Sequence, residues 1–202
     1  MTRRDVQIVR RSAGYEGFSK LHVLHLRHRL HNGGWSDELE REVYERANAA
    51  AILLYDPDRD AVALLEQCRP GAYLSGRECW QLEPVAGIFL PGESPEDVAV
   101  RETKEEAGCD VSSVKSIGAY LVSPGCATET VHCFVGRIDS RVVGGVHGHL
   151  EEGEDIRVHV LPMAEVRAGL ESGRFEYALT LICLQWLVIN HASLRRAWLG
   201  ED

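Results

Sequence analysis

No apolar stretch in this 202-residue chain reaches the roughly 18 residues that a membrane-spanning helix needs. Basic residues are scarce as well: 22 Lys and Arg stand against 31 Asp and Glu, for a net charge of −9. A general nucleic-acid binder would show the opposite balance, gathered in a patch. No C-x-x-C pair occurs among the six cysteines, and no secretory leader precedes them. Most of the thiols sit in apolar segments, so the expectation is buried, reduced cysteines in a cytoplasmic protein. Internal repeats and low-complexity tracts are missing too. What remains, 45% hydrophobic and 26% charged residues, is ordinary for a globular protein. The length suits one domain with a full core, or a core domain with an extension.

Against this background, residues 87 to 109 stand out: GIFLPGESPEDVAVRETKEEAGC. Ser94 is a good N-cap, and Pro95 suits the first helical position. Glu96 and Asp97 fall in the first turn, where the helix dipole favours acids. Gly108 is placed to end the helix. The spacing predicts a helix from Pro95 to Ala107 that packs through Val98, Ala99, Thr103 and Ala107. Glu102 and Glu106, four residues apart, share one face, with Glu105 close by. A solvated face held by Arg101–Glu105 and Lys104 pairs would account for the acids alone. It would not account for Gly87 and Glu93 standing in register with them. Carboxylates this close repel one another unless a cation lies among them, and hard oxygen donors select Mg²⁺ or Mn²⁺.

The remaining chain reads as an α/β protein. Residues 5–12 and 18–30 predict strands, followed by a turn at Asn32-Gly33-Gly34. The segment from Trp35 begins polar and becomes an apolar strand at Ala49 to Tyr55. The turn from Asp56 to Asp60 joins it to AVALLEQC as a central hairpin. Residues 69–78 read as a loop. SIGAYLVSP, ETVHCFVGRI and IRVHVLP predict further strands. Residues 139–155, with four glycines and five acids, predict a long mobile loop. Helices are predicted over 163–171 and 176–191. His22, His25, His28 and His31 recur every third residue, a period that a strand divides between its two faces. They therefore predict a polar, partly exposed strand rather than a metal site.

The seven residues Gly87, Glu93, Arg101, Glu102, Glu105, Glu106 and Gly108 form a register that resembles the Nudix box. Outside it, LRHRL at 26–30, REVYER at 41–46, LLEQCRPGAY at 64–73 and LEPVAG at 82–87 extend the likeness. So do SPG at 123–125 with Glu129, EDIRVHV at 154–160 and ALTLICLQWL at 178–187. Together they resemble the ADP-ribose pyrophosphatase branch of the Nudix hydrolases, over roughly residues 15 to 198.

That resemblance implies an α/β/α sandwich, with residues 1–45 as an N-terminal strand extension used for homodimerisation and 46–202 as the hydrolase domain. It implies Mg²⁺-dependent (or Mn²⁺-dependent) hydrolysis of ADP-ribose to AMP and ribose 5-phosphate. The Ala86 carbonyl, Glu102, Glu106 and Glu154 would hold metal. Glu152 would be the general base, with Glu151 one residue away and Glu105 the next candidate; Arg101 and Glu105 complete the catalytic box. Arg69 would contact the diphosphate. Arg41, Glu42 and Arg46 would contact substrate, some of them across the dimer. Phe18 would stack on adenine, and Ile88, Ser123, Gly125 and Glu129 would complete the substrate set. Three positions depart from the pattern: Ser19 stands where a second aromatic is more usual, and Thr103 and Cys109 stand where more hydrophobic residues are. Two other readings stay open. One is a pyrophosphatase for another nucleoside diphosphate sugar such as GDP-mannose. The other is a non-catalytic ADP-ribose-binding regulator, against which the intact Glu102, Glu105 and Glu106 argue. The expected partner in either case is a small nucleoside diphosphate sugar, with neither nucleic acid nor membrane.

Overall fold

A computed structural model describes residues 1–149, 151 and 153–201. The chain forms two compact units, Met1–Asn48 with Leu121–Thr130, and Ala49–Tyr120 with Val131–Asp202.

The first unit is built on an antiparallel sheet ordered β1 (Val6–Glu16), β2 (Lys20–His28), β3 (Leu39–Glu45). The third strand was not expected, because LEREVYE is too charged to show an apolar period. It is specified instead by its partner. His22 Nε2 meets Glu45 Oε2 at 2.6 Å, and His25 meets Glu38 at 3.0 Å and Glu40 at 3.3 Å. These two histidines of the three-residue repeat are thus cross-strand pairing groups for the acids of the Asp37–Glu45 segment. Beyond β3, Tyr44 N–H donates to the Cys126 carbonyl at 2.8 Å, and Thr128 N–H donates back to Tyr44 at 3.1 Å.

The second unit carries an eight-stranded mixed sheet. Its main path runs β10 (Gly145–His147), β11 (Ile156–Pro162), β5 (Ala61–Cys68), β4 (Ala49–Asp56), β9 (Thr130–Arg137) and β8 (Ser113–Leu121). Off this path, β6 (Trp80–Glu83) pairs with β5, and β7 (Val85–Ile88) pairs with β4. Strand β4, AAAILLYD, is buried at every position, as a central strand covered on both faces must be. Ala49, Ala51, Leu53 and Tyr55 point into one core with Met163 and Val166 of α3 (Met163–Ser172) and Leu184 and Leu187 of α4 (Ala178–Leu199). Ala50, Ile52 and Leu54 point into the other, with Val98, Ala99 and Ala107 of α2 (Pro95–Ala107). This is the expected α/β/α sandwich. The expected helix from Pro95 to Ala107 is present with those bounds. Residues 70–74 form a short helix, α1 (Pro70–Leu74), inside the expected loop, and β10 forms inside the expected 139–155 loop. No helix of the described residues is long and apolar enough to cross a membrane.

Helix α4 runs eight residues past its expected end at 191, because its last turns are held by the β4–β5 hairpin. Asp60 Oδ1 accepts from the Tyr55 hydroxyl at 2.8 Å and meets His191 Nε2 at 2.5 Å, while Arg195 Nε donates to the Pro57 carbonyl at 2.8 Å. Trp198 stacks on Tyr55 at 6.2 Å between ring centres. Asp60 is the one described non-glycine residue with positive φ, at 52°. Aspartate tolerates that conformation better than a residue with no polar side chain. Burial would push the Asp60 carboxyl up, but bonds to His191 and Tyr55 hold it below the ordinary carboxylate range. The pin is therefore intact above that range and fades as pH falls through it. Replacing Asp60 with Ala removes one of the two partners of the buried Tyr55 hydroxyl, leaving His191 Nε2 at 3.2 Å, and leaves the left-handed position without the polar side chain that eases it. Urea unfolding at neutral pH should show a loss of about 2–3 kcal/mol. Asp60→Gly should recover the backbone part of that loss. A midpoint unchanged in Asp60→Ala would contradict the pin.

Candidate active site

The site grows from strand β7 and helix α2. Ser94 caps the helix by accepting from Asp97 N–H at 3.2 Å, and Asp97 returns the bond to Ser94 N–H at 3.2 Å. This capping box fixes where the helix starts, and so fixes the rotation of every later residue. Gly108 ends it at φ 64°, where a Cβ would lie 2.4 Å from His147 of β10. At the strand, a Cβ on Gly87 would lie 1.8 Å from Glu102 Oε1. Only glycine lets the helix carboxylate lie directly on the β7 backbone, and that is the physical reason for the first residue of the box.

Arg101 organises the acidic face. Its Nε donates to Glu93 Oε1 at 2.8 Å, and its Nη1 donates to Glu102 Oε1 at 2.8 Å and Glu105 Oε2 at 3.0 Å. Glu93 in turn accepts from Leu90 N–H at 2.9 Å, which ties the loop before the helix to the same guanidinium. Arg101 and Glu93 thus act on the shape of the site rather than opening toward a ligand.

Glu106 lies on the far side of this cluster and is 5% exposed. Its Oε2 accepts from Ala86 N–H at 3.2 Å. Its carboxyl is pushed up to about 8, chiefly by burial, against the Ala86 bond and with help from the negative charges of Glu102, Glu154 and Glu83. Glu102 is also raised, first by burial and further by Glu105 and Glu154, with Arg101 opposing. Glu154 closes the neck of the acidic loop: its N–H donates to the His149 carbonyl at 3.1 Å, and its Oε2 accepts from His149 N–H at 3.2 Å.

Among the described residues, no three acids, histidines or cysteines stand closed at metal-ligand spacing. The two observations are compatible. Glu102 is turned onto Arg101 and Glu154 onto His149, while the mutual repulsion of Glu102, Glu106 and Glu154 marks where positive charge is short. A hard donor set of three carboxylates and the Ala86 carbonyl fits a divalent cation.

Arg69 follows β5, and its Nε donates to Glu83 at 2.8 and 3.1 Å, one distance to each oxygen. Glu83 is 2% exposed and was not singled out from the sequence, although it opens the LEPVAG segment but one. An acid at the end of a short strand, within an otherwise apolar stretch, was the available signal. The pair engages the Nε edge of the Arg69 guanidinium.

Of the expected site residues, the structure draws Ala86, Glu102, Glu105, Glu106, Arg101, Glu154 and Arg69 into the second unit, with Ile88 at the end of β7. Glu152 lies outside the described residues. Phe18, Arg41, Glu42, Arg46, Ser123, Gly125 and Glu129 belong to the first unit. There Arg46 Nη1 pairs with the buried Glu129 at 3.2 Å. Phe18 is 96% exposed. The expectation of buried thiols holds for Cys109, Cys133 and Cys183 but not for Cys68 or Cys126, which are exposed, nor Cys79, which is half-buried. Cys68 and Cys79 sit where β5 and β6 run out beyond the core.

The Glu106 geometry gives a pH signature for the metal-free protein. A carboxyl raised in the folded state stabilises fully below the unfolded value, and that contribution is lost as pH rises through the folded one. Thermal unfolding in chelator should therefore show stability falling by on the order of a few kcal/mol between about pH 4.5 and pH 8. Glu106→Gln should flatten that slope. An unchanged slope in the variant would remove Glu106 from this role.

Residues 45–180 match the NUDIX domain model. The ADP-ribose pyrophosphatase of Escherichia coli (strain K12) is 43% identical over 196 residues, 97% of this chain and 94% of that protein. The GDP-mannose pyrophosphatase of Shigella flexneri serotype 5b is 32% identical over 152 residues, 75% of this chain and 79% of that protein. A solved structure described as an ADP compounds hydrolase superposes with a TM-score of 0.70 at 18% identity, covering 100% of both chains, and supports the fold. Family model, relatives and the glycine-backed acidic helix agree: the chain belongs to the Nudix hydrolases.

Proposed function

We propose that this chain hydrolyses ADP-ribose to AMP and ribose 5-phosphate with Mg²⁺, Mn²⁺ being the alternative ion. The observation that carries the reading is the buried Glu106, tied to Ala86 N–H and facing the charges of Glu102 and Glu154. The identity of 43% to an ADP-ribose pyrophosphatase, against 32% to a GDP-mannose pyrophosphatase, supports ADP-ribose over the guanine sugar.

In this reading Ala86, Glu102, Glu106 and Glu154 hold the ion, which supplies positive charge to the diphosphate and acidifies a water. Arg101 bridges Glu102 and Glu105 through one nitrogen and offsets their mutual repulsion. Arg69, backed by Glu83, presents its terminal nitrogens to the diphosphate and offsets charge that builds as the phosphoanhydride bond breaks. Glu152 takes the proton of the attacking water, with Glu151 and Glu105 as its rivals. Phe18, Arg41, Glu42, Arg46, Ile88, Ser123, Gly125 and Glu129 bind the rest of the nucleotide sugar. No nucleophilic side chain is needed. Free thiols and this substrate class fit a cytoplasmic location.

A panel of ADP-ribose, GDP-mannose, other nucleotide sugars and dinucleotides, read as AMP and GMP release, tests the assignment. ADP-ribose should give the highest kcat/KM. GDP-mannose ahead of it would move the chain to the other substrate, and no hydrolysis of any of them would favour a regulator. On the preferred substrate, Glu152→Gln should lower kcat about 100-fold with KM nearly unchanged. If Glu151→Gln does so instead, the base is its neighbour.

The same reading makes the protein a homodimer through the N-terminal strands. All eleven residues of β1 are exposed, among them Val6, Ile8, Val9 and Tyr15. An uncovered apolar edge strand is an association site. Light scattering should give a dimer for the full chain. Deleting residues 1–30, which removes β1 and β2, should give a monomer or aggregate with little ADP-ribose hydrolysis. A full-length monomer of full activity would overturn the dimer.

A further inference from the structure

Strand β10 lies at the edge of its sheet, is three residues long, and pairs on one side with β11, from Gly145 opposite Val158 to His147 opposite Ile156. Ile156 and Val158 are buried in the core with Ala107 and Cys109, so β11 is firmly held. Gly145 and Val146 are exposed, and three paired residues at an edge hold a strand weakly. The His147 side chain supplies a further tie. Its Cε1 lies 2.4 Å, its Nδ1 3.0 Å and its Nε2 3.3 Å from the point that a Cβ on Gly108 would occupy. The imidazole thus inserts its Cε1 edge where any other residue at 108 would carry a side chain. His147 Nε2 donates to the Gly144 carbonyl at 2.8 Å, which fixes the tilt of the ring. Gly108 closes α2 and stands two residues after Glu106. On the other side of His147, Gly148 has φ 97°, and a Cβ there would lie 2.8 Å from the Glu154 Cβ. Glu154 therefore closes directly on Gly148, with its bonds to His149 at 3.1 and 3.2 Å. A short line of contacts runs from Glu106 through Gly108, His147 and Gly148 to Glu154, all within the second unit.

We propose that His147 is a positioning residue: its ring, seated on Gly108, docks the base of the β10–β11 hairpin on the end of α2 and so sets where Glu154 stands relative to Glu102 and Glu106. The effect on turnover rests on the ADP-ribose reading above; the docking does not. His147 acts through backbone, not on the reacting atoms. The notch at Gly108 receives the ring, and the ring carries Gly148 and Glu154 with it. A smaller side chain at 147 leaves the notch empty and frees the hairpin base to shift. A side chain at 108 fills the notch and pushes the ring out. Either change misplaces Glu154 against the two helix acids. Displacing a charged group by about 1 Å costs far more in turnover than in the hold on the rest of the substrate. Arg69 is held separately, by Glu83 at 2.8 Å, and does not depend on this contact.

The test compares full-length wild type, His147→Ala, Gly108→Ala and the double variant, by hydrogen–deuterium exchange in chelator and by ADP-ribose kinetics in Mg²⁺. In His147→Ala the amides of His149 and Glu154 should exchange at least about fivefold faster, while those of α2 and β11 keep their protection. Its kcat should fall about tenfold, with KM moved less than about threefold. Gly108→Ala drives a methyl into the ring and should lower kcat by a similar factor alone. In the His147→Ala background its added effect on kcat should be less than about twofold, because the two residues share one contact. The strain of Ala at φ 64° should lower the melting temperature in both backgrounds. Unchanged exchange at His149 and Glu154 in His147→Ala would overturn the docking, and so would lost protection throughout the chain. Losses in kcat that multiply in the double variant, or a raised KM with kcat unmoved, would overturn the positioning role. Wild-type protein that leaves ADP-ribose intact would instead count against the functional reading, while the exchange result would still judge the docking.

Discussion

Glu106 is a carboxylate with almost no water around it, one backbone donor, and three other acids acting on it. A charge in that position is costly unless something positive shares it. Much of the second unit can be understood as the means of keeping it there. Strand β4 is apolar on both faces, so it can sit at the centre of the sheet and hold β7 beside it, in register from Ala49 opposite Ile88 to Ile52 opposite Val85. Strand β7 then offers Ala86 N–H to Glu106 and the bare Gly87 backbone to Glu102. The capping box at Ser94 sets the helix so that both acids arrive on the strand. Arg101 neutralises the outer acids but leaves Glu106 to its deficit. Two cations are thus used structurally, Arg101 on Glu93, Glu102 and Glu105, and Arg69 on Glu83, while the centre between them stays acidic.

This division explains why an acidic protein suits an anionic substrate. With a net charge of −9 the surface repels a diphosphate. In the proposed function a divalent ion in the acidic centre would invert the local field, and Arg69 would add a second cation. Selectivity for the base and sugar would then rest on other residues, and the exposed Phe18 beside Ser19 is a sparse provision for holding a purine.

The helix at Pro95–Ala107 was legible in the sequence to the residue, because cap, first-turn acids, packing positions and C-terminal glycine all agree locally. The buried strands were legible for the same reason: seven apolar residues in a row in AAAILLYD leave few alternatives. What escaped notice was specified by partners distant in sequence. Strand β3 is recognisable only once His22 and His25 stand opposite its acids. The last turns of α4 depend on Asp60, more than a hundred residues earlier, and on the stacking of Trp198 against Tyr55. Glu83 looked like one more acid until burial and Arg69 gave it a role. The shared face of Glu102 and Glu106 was legible from their spacing. The proposal of Glu152 as base comes only through the family resemblance, since a run of acids in a glycine-rich loop carries no geometry of its own.

The account turns on whether the charge deficit at Glu106 is where a divalent ion binds. Electron paramagnetic resonance of Mn²⁺, titrated into the wild-type protein and into Glu106→Gln without substrate, measures that directly. The account predicts that the wild type removes free Mn²⁺ signal at stoichiometric protein, that excess Mg²⁺ restores it, and that Glu106→Gln weakens binding at least about tenfold, a loss of some 1.4 kcal/mol. Equal Mn²⁺ affinity in the two proteins would contradict it.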